Sequence, residues 1–231
     1  MAMCGRFTNT LGPEELTKQL GESIGVRIRE STSTDAWNVC PTDPVVTVVA
    51  TDGVPETRTL RWGLVPPWAS ELKLPRPLFN ARAEGLIERG NYAGVTPDAG
   101  HRALVLADGF YEWEHPEDKK RKPQPYRFTV EDGRAFAFAA VWTTNRKIEG
   151  GPIESCSIIT CHSAPNPLLS RVHDRMPVIL TDPEELRVWL SPDVAPLDAM
   201  TLCRAFPAER MSLEAREPAS QNSSEQLTIL T

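Results

Sequence analysis

Hydrophobic positions along this chain fall into short blocks broken by Pro, Gly and Asp, a rhythm that favours strands over helices. Residues 45–50 and 57–62 are two such blocks, and Asp52-Gly53 between them predicts a hairpin. Ala103-Leu104-Val105-Leu106 predicts a buried strand that leads on to Gly109-Phe110-Tyr111-Glu112-Trp113. Residues 126–130 and 135–142, turning at Asp132-Gly133, predict a second hairpin, and 155–160 and 177–180 two further short strands. Helix signals are few. Gly12-Pro13-Glu14-Glu15-Leu16 opens a short helix that Gly21 closes, and Asp182-Pro183-Glu184-Glu185 combines a cap residue, a first-position proline and early acids. The polar stretch 22–43 predicts a long loop ending at Cys40-Pro41, and the proline-rich 64–77 an ordered loop. Residues 117–122 predict a solvated loop, and the final dozen a polar tail. With no repeat and no linker, many strands and few helices predict one α+β domain.

Composition narrows the class without naming a chemistry. The 231 residues are 40% hydrophobic and 24% charged, ordinary for a globular chain. The longest apolar run, 135–142, falls far short of the roughly 20 residues a membrane span needs. The first residues lack the charged head and apolar run of a secretory signal, so a cytoplasmic protein with no membrane partner is expected. Five cysteines without paired spacing argue against a disulfide framework. Cys156, Cys161 and His162 have no C-x-x-C partner, so no metal is expected. A net charge of −6 makes no global case for nucleic acid, although a local arginine cleft can still bind phosphate.

The chemistry starts at Cys4-Gly5-Arg6-Phe7. Two or three cuts would make Cys4 the first residue, and a terminal cysteine has two nucleophiles on adjacent carbons. Its α-amine forms an imine with an aldehyde, and its thiol then closes a five-membered thiazolidine. An α-amine has a pKa of about 7.8 against about 10.4 for lysine, so roughly 30% is unprotonated near pH 7.4. The simpler reading is a small buried cysteine in a first strand.

Four further segments bring complementary side chains: Trp62-Gly63-Leu64-Val65-Pro66-Pro67-Trp68, Phe79-Asn80-Ala81-Arg82-Ala83-Glu84, Gly109-Phe110-Tyr111-Glu112-Trp113 and Val172-His173-Asp174-Arg175-Met176-Pro177. With Cys4-Gly5-Arg6-Phe7 they closely resemble, in order, the motifs of the SOS response-associated peptidase (SRAP) family, the abasic-site processing proteins. The resemblance covers residues 3–210, leaving 211–231 as a C-terminal polar tail. It implies a single strand-rich, barrel-like domain of mixed and antiparallel sheet with a few short helices. It also implies that Cys4 crosslinks the ring-opened aldehyde of an abasic site in single-stranded DNA as a slowly reversible thiazolidine. Asn80, Glu112 and His173 are implied in the same site. A carboxylate and a histidine supply the acid and base that imine formation needs. Glu112 is suited to take a proton from the amine and to help expel water. His173 is suited to protonate the sugar ring oxygen, and Asn80, which does not titrate, to hold the reactants by hydrogen bonds.

Recognition of DNA is expected from other side chains. Arg6, Arg82 and Arg175 each follow a proposed catalytic residue by two positions and are expected to contact phosphates. Trp68 and Trp113 offer faces to unstacked bases, and Cys40-Pro41 resembles the family segment beside the lesion, which adds Pro41. His101, His115 and His162 fall outside the motifs and are expected to be structural or exposed, and Lys119 to Lys122 to be solvated. Neither metal nor organic cofactor is implied. The expected partner is single-stranded DNA with abasic sites, with the replication machinery a further candidate, and the protein is expected to be a monomer.

Family members begin Met-Cys, whereas Met1-Ala2-Met3 precedes Cys4 here. Exposure of Cys4 therefore requires that translation begins at Met3, that Met1-Ala2 is a cloning addition, or that the protein cuts itself at Met3-Cys4. Two other functions remain open: a thiol peptidase or amidase acting in trans through Cys4 and His173, and a non-catalytic module that binds single strands.

Overall fold

The computed structural model describes residues 5–29, 36–89, 92, 94–116, 118 and 120–219. Its strands are β1 (Arg6–Asn9), β2 (Ala36–Val39), β3 (Pro44–Thr51), β4 (Val54–Trp62), β5 (Asn80–Arg82), β6 (Arg102–Ala107), β7 (Gly109–Glu114), β8 (Gln124–Val130), β9 (Phe136–Asn145), β10 (Ile153–His162), β11 (Arg175–Pro177), β12 (Ile179–Leu180) and β13 (Met211–Ala215). The α-helices are short: α1 (Pro13–Leu16), α2 (Ala83–Arg89), α3 (Pro167–Ser170), α4 (Pro183–Leu190) and α5 (Pro196–Met200).

Strands β4, β3, β6, β9 and β10 pair in turn, and β10 returns to β4, which closes a ring. Every pair in the ring is antiparallel except β10 with β4, where Ser155 faces Arg61 and Cys156 faces Trp62. The ring is the strand-rich mixed barrel that the sequence implied. A second, wholly antiparallel sheet runs β13-β8-β7-β1-β2. Its inner face carries Phe7, Phe110 and Phe128 onto the barrel. The Phe7 ring lies 5.1 Å from Trp62 and 5.6 Å from Phe138, and Phe110 lies 6.1 Å from Phe138. Burial of these aromatic rings, each among the largest apolar surfaces a chain can hide, fixes the two sheets against each other.

The hairpin at Asp52-Gly53 forms as expected, with Thr51 opposite Val54 and Gly53 at φ 77°. The hairpin expected over 126–142 does not form. Chain direction reverses at Asp132-Gly133, but β8 pairs with β7 and β13 in one sheet while β9 pairs with β6, β10 and β12 in the other. Burial explains the parting. Nearly every β9 residue is buried on both faces, so the strand needs two ring neighbours, whereas β8 alternates and suits an outer sheet. The polar stretch 22–43 also hides a strand, β2, whose Val39 sits opposite Phe7. Past residue 210, Met211–Ala215 is an edge strand on β8, with Leu213 opposite Phe128, so the first residues of the expected tail are ordered sheet. Residues 220–231 lie outside the described residues.

Candidate active site

Strand β10 organises the site. Along one edge β5 runs parallel to it, so that Asn80 faces Ile158 and Arg82 faces Thr160. Along the other edge β11 runs antiparallel, with Arg175 opposite His162 and Pro177 opposite Thr160. Two motifs remote in sequence thus meet at one end of β10. Alternation along β5 buries Ala81 in the core and turns Asn80 and Arg82 to the same side. There an open cleft of about 690 Å³ is lined by Asn80, Arg82, His115, His173, Asp174 and Arg175, together with Pro77 and Phe79.

His173 is held by its own backbone and by both neighbours. Its N–H donates to the Leu169 carbonyl at 3.0 Å, and its carbonyl accepts the Ser163 hydroxyl at 2.6 Å. The Arg175 amide donates to Nδ1 at 3.0 Å, which leaves the proton of the neutral ring on Nε2. Asp174 Oδ1 lies 3.0 Å from the same Nδ1 and is the partner of the protonated ring. Burial is the largest influence on this imidazole and holds its pKa below the ordinary value. Asp174 opposes that shift and the nearby His115 reinforces it. At neutral pH His173 is therefore an uncharged donor from Nε2.

Arg175 is buried with both terminal nitrogens engaged, while its Nε has no hydrogen-bond partner among the described residues. It makes a two-pronged bond to Glu84, at 2.9 and 3.0 Å, and donates to the Thr160 carbonyl at 2.6 Å. Glu84 stands in the first turn of α2, directly after β5, so this pair ties β11 to β5 across β10. Burial pushes the Glu84 carboxyl up. The hydrogen bonds and charge of Arg175, the helix-start amide and His162 outweigh it and hold the pKa below the carboxylate norm. Arg82, by contrast, is exposed at the cleft.

The remaining site residues approach from the second sheet. Antiparallel pairing sets Arg6 opposite Tyr111, the neighbour of Glu112, with Phe7 opposite Phe110 and Thr8 opposite Gly109. Glu112 is buried, across from Tyr126 on β8. The Arg6 guanidinium lies 5.8 Å from the centre of the Trp113 ring and bonds Asn38 at 3.4 Å. His115, just past the end of β7, brings that strand's end to the cleft. Cys4 lies outside the described residues. Among the other thiols, burial pushes Cys156 up to about 12, Cys161 to about 11 and Cys203 to about 12, so none of these three supplies a thiolate at neutral pH. Cys156 and Cys161, five apart on β10, fall on opposite faces of the strand.

Five of the described sequence candidates are not among the residues that line the cleft: Arg6, Glu112 and Trp113 on the second sheet, and Pro41 and Trp68. Pro41 lines a smaller neighbouring cavity that shares Pro77 and Phe79 with it. Trp68 is 60% exposed on the loop between β4 and β5, close to Gly94. His115 is the residue that sequence reasoning passed over, and its place directly behind the Gly109–Glu114 strand was the only signal.

Residues 3–219 match the family model described as SOS response associated peptidase (SRAP). The chain is 36% identical over 190 residues to the abasic site processing protein YoqW of Bacillus subtilis, covering 82% of this chain and 81% of that protein. It is 29% identical over 213 residues to the abasic site processing protein YedK of Escherichia coli, covering 91% and 90%. It is 30% identical over 245 residues to the abasic site processing protein HMCES of Gallus gallus, covering 91% of this chain and 71% of that protein. In fold it is similar to a crystal structure of a Bordetella bronchiseptica protein, with a TM-score of 0.74 at 23% identity over 93% of this chain and all of that one. A Bacteroides thetaiotaomicron protein gives a TM-score of 0.72 at 23% identity, covering 91% and 90%. The motifs, the barrel with its second sheet and the family match agree, and the chain belongs to the SRAP family.

Proposed function

We propose that this protein captures abasic sites in single-stranded DNA as a covalent adduct, with Cys4 as its first residue. The observation that carries the reading is that Asn80, Arg82 and His173, from motifs remote in sequence, line one cleft, while β1 pairs with β7 so that Arg6 lies opposite Tyr111, the neighbour of Glu112. The α-amine of Cys4 adds to the C1′ aldehyde of the opened sugar, and the carbinolamine loses water to give an imine. The Cys4 sulfur then bonds to the same carbon, and the thiol proton passes to the nitrogen. Glu112 accepts the amine proton and returns it to the departing hydroxyl. Neutral His173 donates from Nε2 to the ring oxygen as the sugar opens, and Asn80 holds the aldehyde in line. Running the steps backward releases the DNA slowly. Hydrolysis of the Met3-Cys4 bond by the same Glu112 and His173 is one route to the free amine, since an amide nitrogen cannot form an imine.

Denaturing electrophoresis after incubation with an abasic oligonucleotide tests the reading. A band that survives denaturant is expected with abasic DNA, none with intact DNA, and a large loss for Cys4→Ser. Intact mass is expected to begin at Cys4. A species that retains Met3 and still forms the adduct at full yield overturns the amine as nucleophile. Adduct formation that rises with pH through about 7.8, the ordinary α-amine pKa, is the matching signature.

A further inference from the structure

Beside the cleft lies a cavity of about 200 Å³, divided from it only by Pro77 and Phe79, which line both. Its walls are apolar, built from Trp62, Leu64 and Leu78 as well as Phe79, and Leu72 stands 46% exposed at the mouth. Arg61 and Lys73 add two cationic heads. At this size it suits one flat ring system, well under the ~300–1,000 Å³ of drug-sized pockets.

The floor is built with care. Thr42 has φ 86°, a left-handed conformation that is strained for a β-branched residue and is kept only where its surroundings impose it. They do so here: the Thr42 amide donates to the Trp62 carbonyl at 2.7 Å, and the Trp62 amide to the Asp43 carbonyl at 2.9 Å. The Trp62 indole N–H donates to the Phe79 carbonyl at 2.9 Å, and the Leu64 amide to the Leu78 carbonyl at 2.9 Å. Gly63, at φ 127°, also matters, because a Cβ there would stand 3.2 Å from an Arg61 terminal nitrogen. The missing side chain lets the guanidinium lie across the backbone. Among the described residues its hydrogen bonding is one long contact, 3.4 Å to the Trp62 carbonyl. Burial lowers its pKa and Asp43 partly restores it, the mark of a half-desolvated cation that an anion would stabilise.

We propose that this cavity receives the unstacked base of the nucleotide adjoining the abasic site, with Arg61 and Lys73 on the phosphate between them. The proposal rests on the abasic-site reading of the cleft. The shared walls at Pro77 and Phe79 make the two sites adjacent, and the apolar walls and cationic side chains match a base followed by its phosphate. A nucleotide next to an abasic site has already lost a stacking partner, so turning it out costs less than in an intact strand.

The test uses strands with a central tetrahydrofuran residue, an abasic analogue that has no aldehyde and binds without reacting. In further strands the base of the 5′ or of the 3′ neighbour is also removed. For the wild type, removal on one side is expected to weaken equilibrium binding roughly tenfold, in line with the stacking of one base. Leu72→Ser, a change at an exposed position, and Arg61→Gln are expected to weaken binding of the first strand. Leu72→Ser should bind the strand that lacks the neighbouring base as the wild type does. Wild-type binding indifferent to both neighbours, or a Leu72→Ser penalty of equal size with and without the base, overturns the pocket. The adduct assay with a true abasic strand is a separate arm. Base-dependent binding without any adduct would leave the pocket standing and remove the covalent reading.

Discussion

On one edge of the cleft Arg82, His173 and Arg175 stand on or beside strands paired to β10, whereas the segment 63–79, which brings Pro77 and Phe79, has neither helix nor strand. The strand side spends its polar groups on one another. Arg175 binds Glu84 and Thr160, and the Arg175 amide fixes His173. The loop side is clamped from beneath by side chains bonding its backbone. Asn145 donates to the Pro66 and Ala69 carbonyls at 2.6 and 2.9 Å, and the Val65 amide donates to the Ser155 hydroxyl at 2.8 Å. With its backbone satisfied from below, the loop holds Trp68 and Leu72 out to solvent. Under the proposed function one wall would orient reacting groups and the other would offer apolar surface to a strand of DNA. Substitutions on the two walls are therefore expected to register in different measurements.

The largest contrast is between two arginines of the same wall. Arg175→Ala removes the bonds that join β11 to β5 and leaves the Thr160 carbonyl and Glu84 without their donor, a loss of about 3 kcal/mol. Arg82→Ala, at an exposed position, is expected to stay within about 0.5 kcal/mol. Urea midpoints at pH 7 measure both. An Arg175→Ala protein as stable as the wild type would show that the brace contributes nothing to stability.

Across the two walls the readout moves to DNA. Trp68→Ala is expected to cost single-strand affinity about 1–3 kcal/mol with the salt slope unchanged, because stacking releases no counterions. Arg82→Ala is expected to lower the slope of log K against log salt by about 0.7, the share of one phosphate contact on a single strand. Neither should move the urea midpoint much. Equal slopes for all three proteins would mean that Arg82 faces the cleft without touching phosphate.

How much of this was legible in the sequence depends on what each inference needed. The Asp52-Gly53 hairpin is a local matter of turn chemistry, and it was legible. The parting of β8 from β9 was not, because it is decided by how many neighbours each strand must have. Ala36-Trp37-Asn38-Val39 is only four residues set in a polar stretch, too short a run to announce itself, and it becomes a strand because β1 is there to pair with it. In the cleft the same division holds. Motif order pointed to Asn80, Arg82, His173 and Arg175, and those four line one cavity. Spacing could not separate Arg82 from Arg175, since both follow a polar site residue by two positions. Their difference lies in Glu84, a carboxylate in plain view inside the Phe79 to Glu84 motif, which reaches one arginine and leaves the other exposed.

The smallest expected effect concerns the proton on His173. Burial holds its pKa down, the exposed Asp174 pulls it up at 3.0 Å, and His115 pushes it down. Asp174→Asn removes the one favourable charge and is expected to lower the pKa further, whereas His115→Ala is expected to raise it. The Asp174 side chain is 84% exposed, so its influence is screened and should fade as salt is raised. The stability consequence follows in sign. A histidine whose folded pKa lies below its unfolded value of about 6.5 contributes stability that is present above that value. That stability is lost as pH falls through the folded pKa. Asp174→Asn should therefore widen the acid window in which stability is lost, and His115→Ala should narrow it. Following the His173 ring proton resonances against pH measures the shifts directly. A rise in Asp174→Asn would mean that the carboxylate does not stabilise the protonated ring.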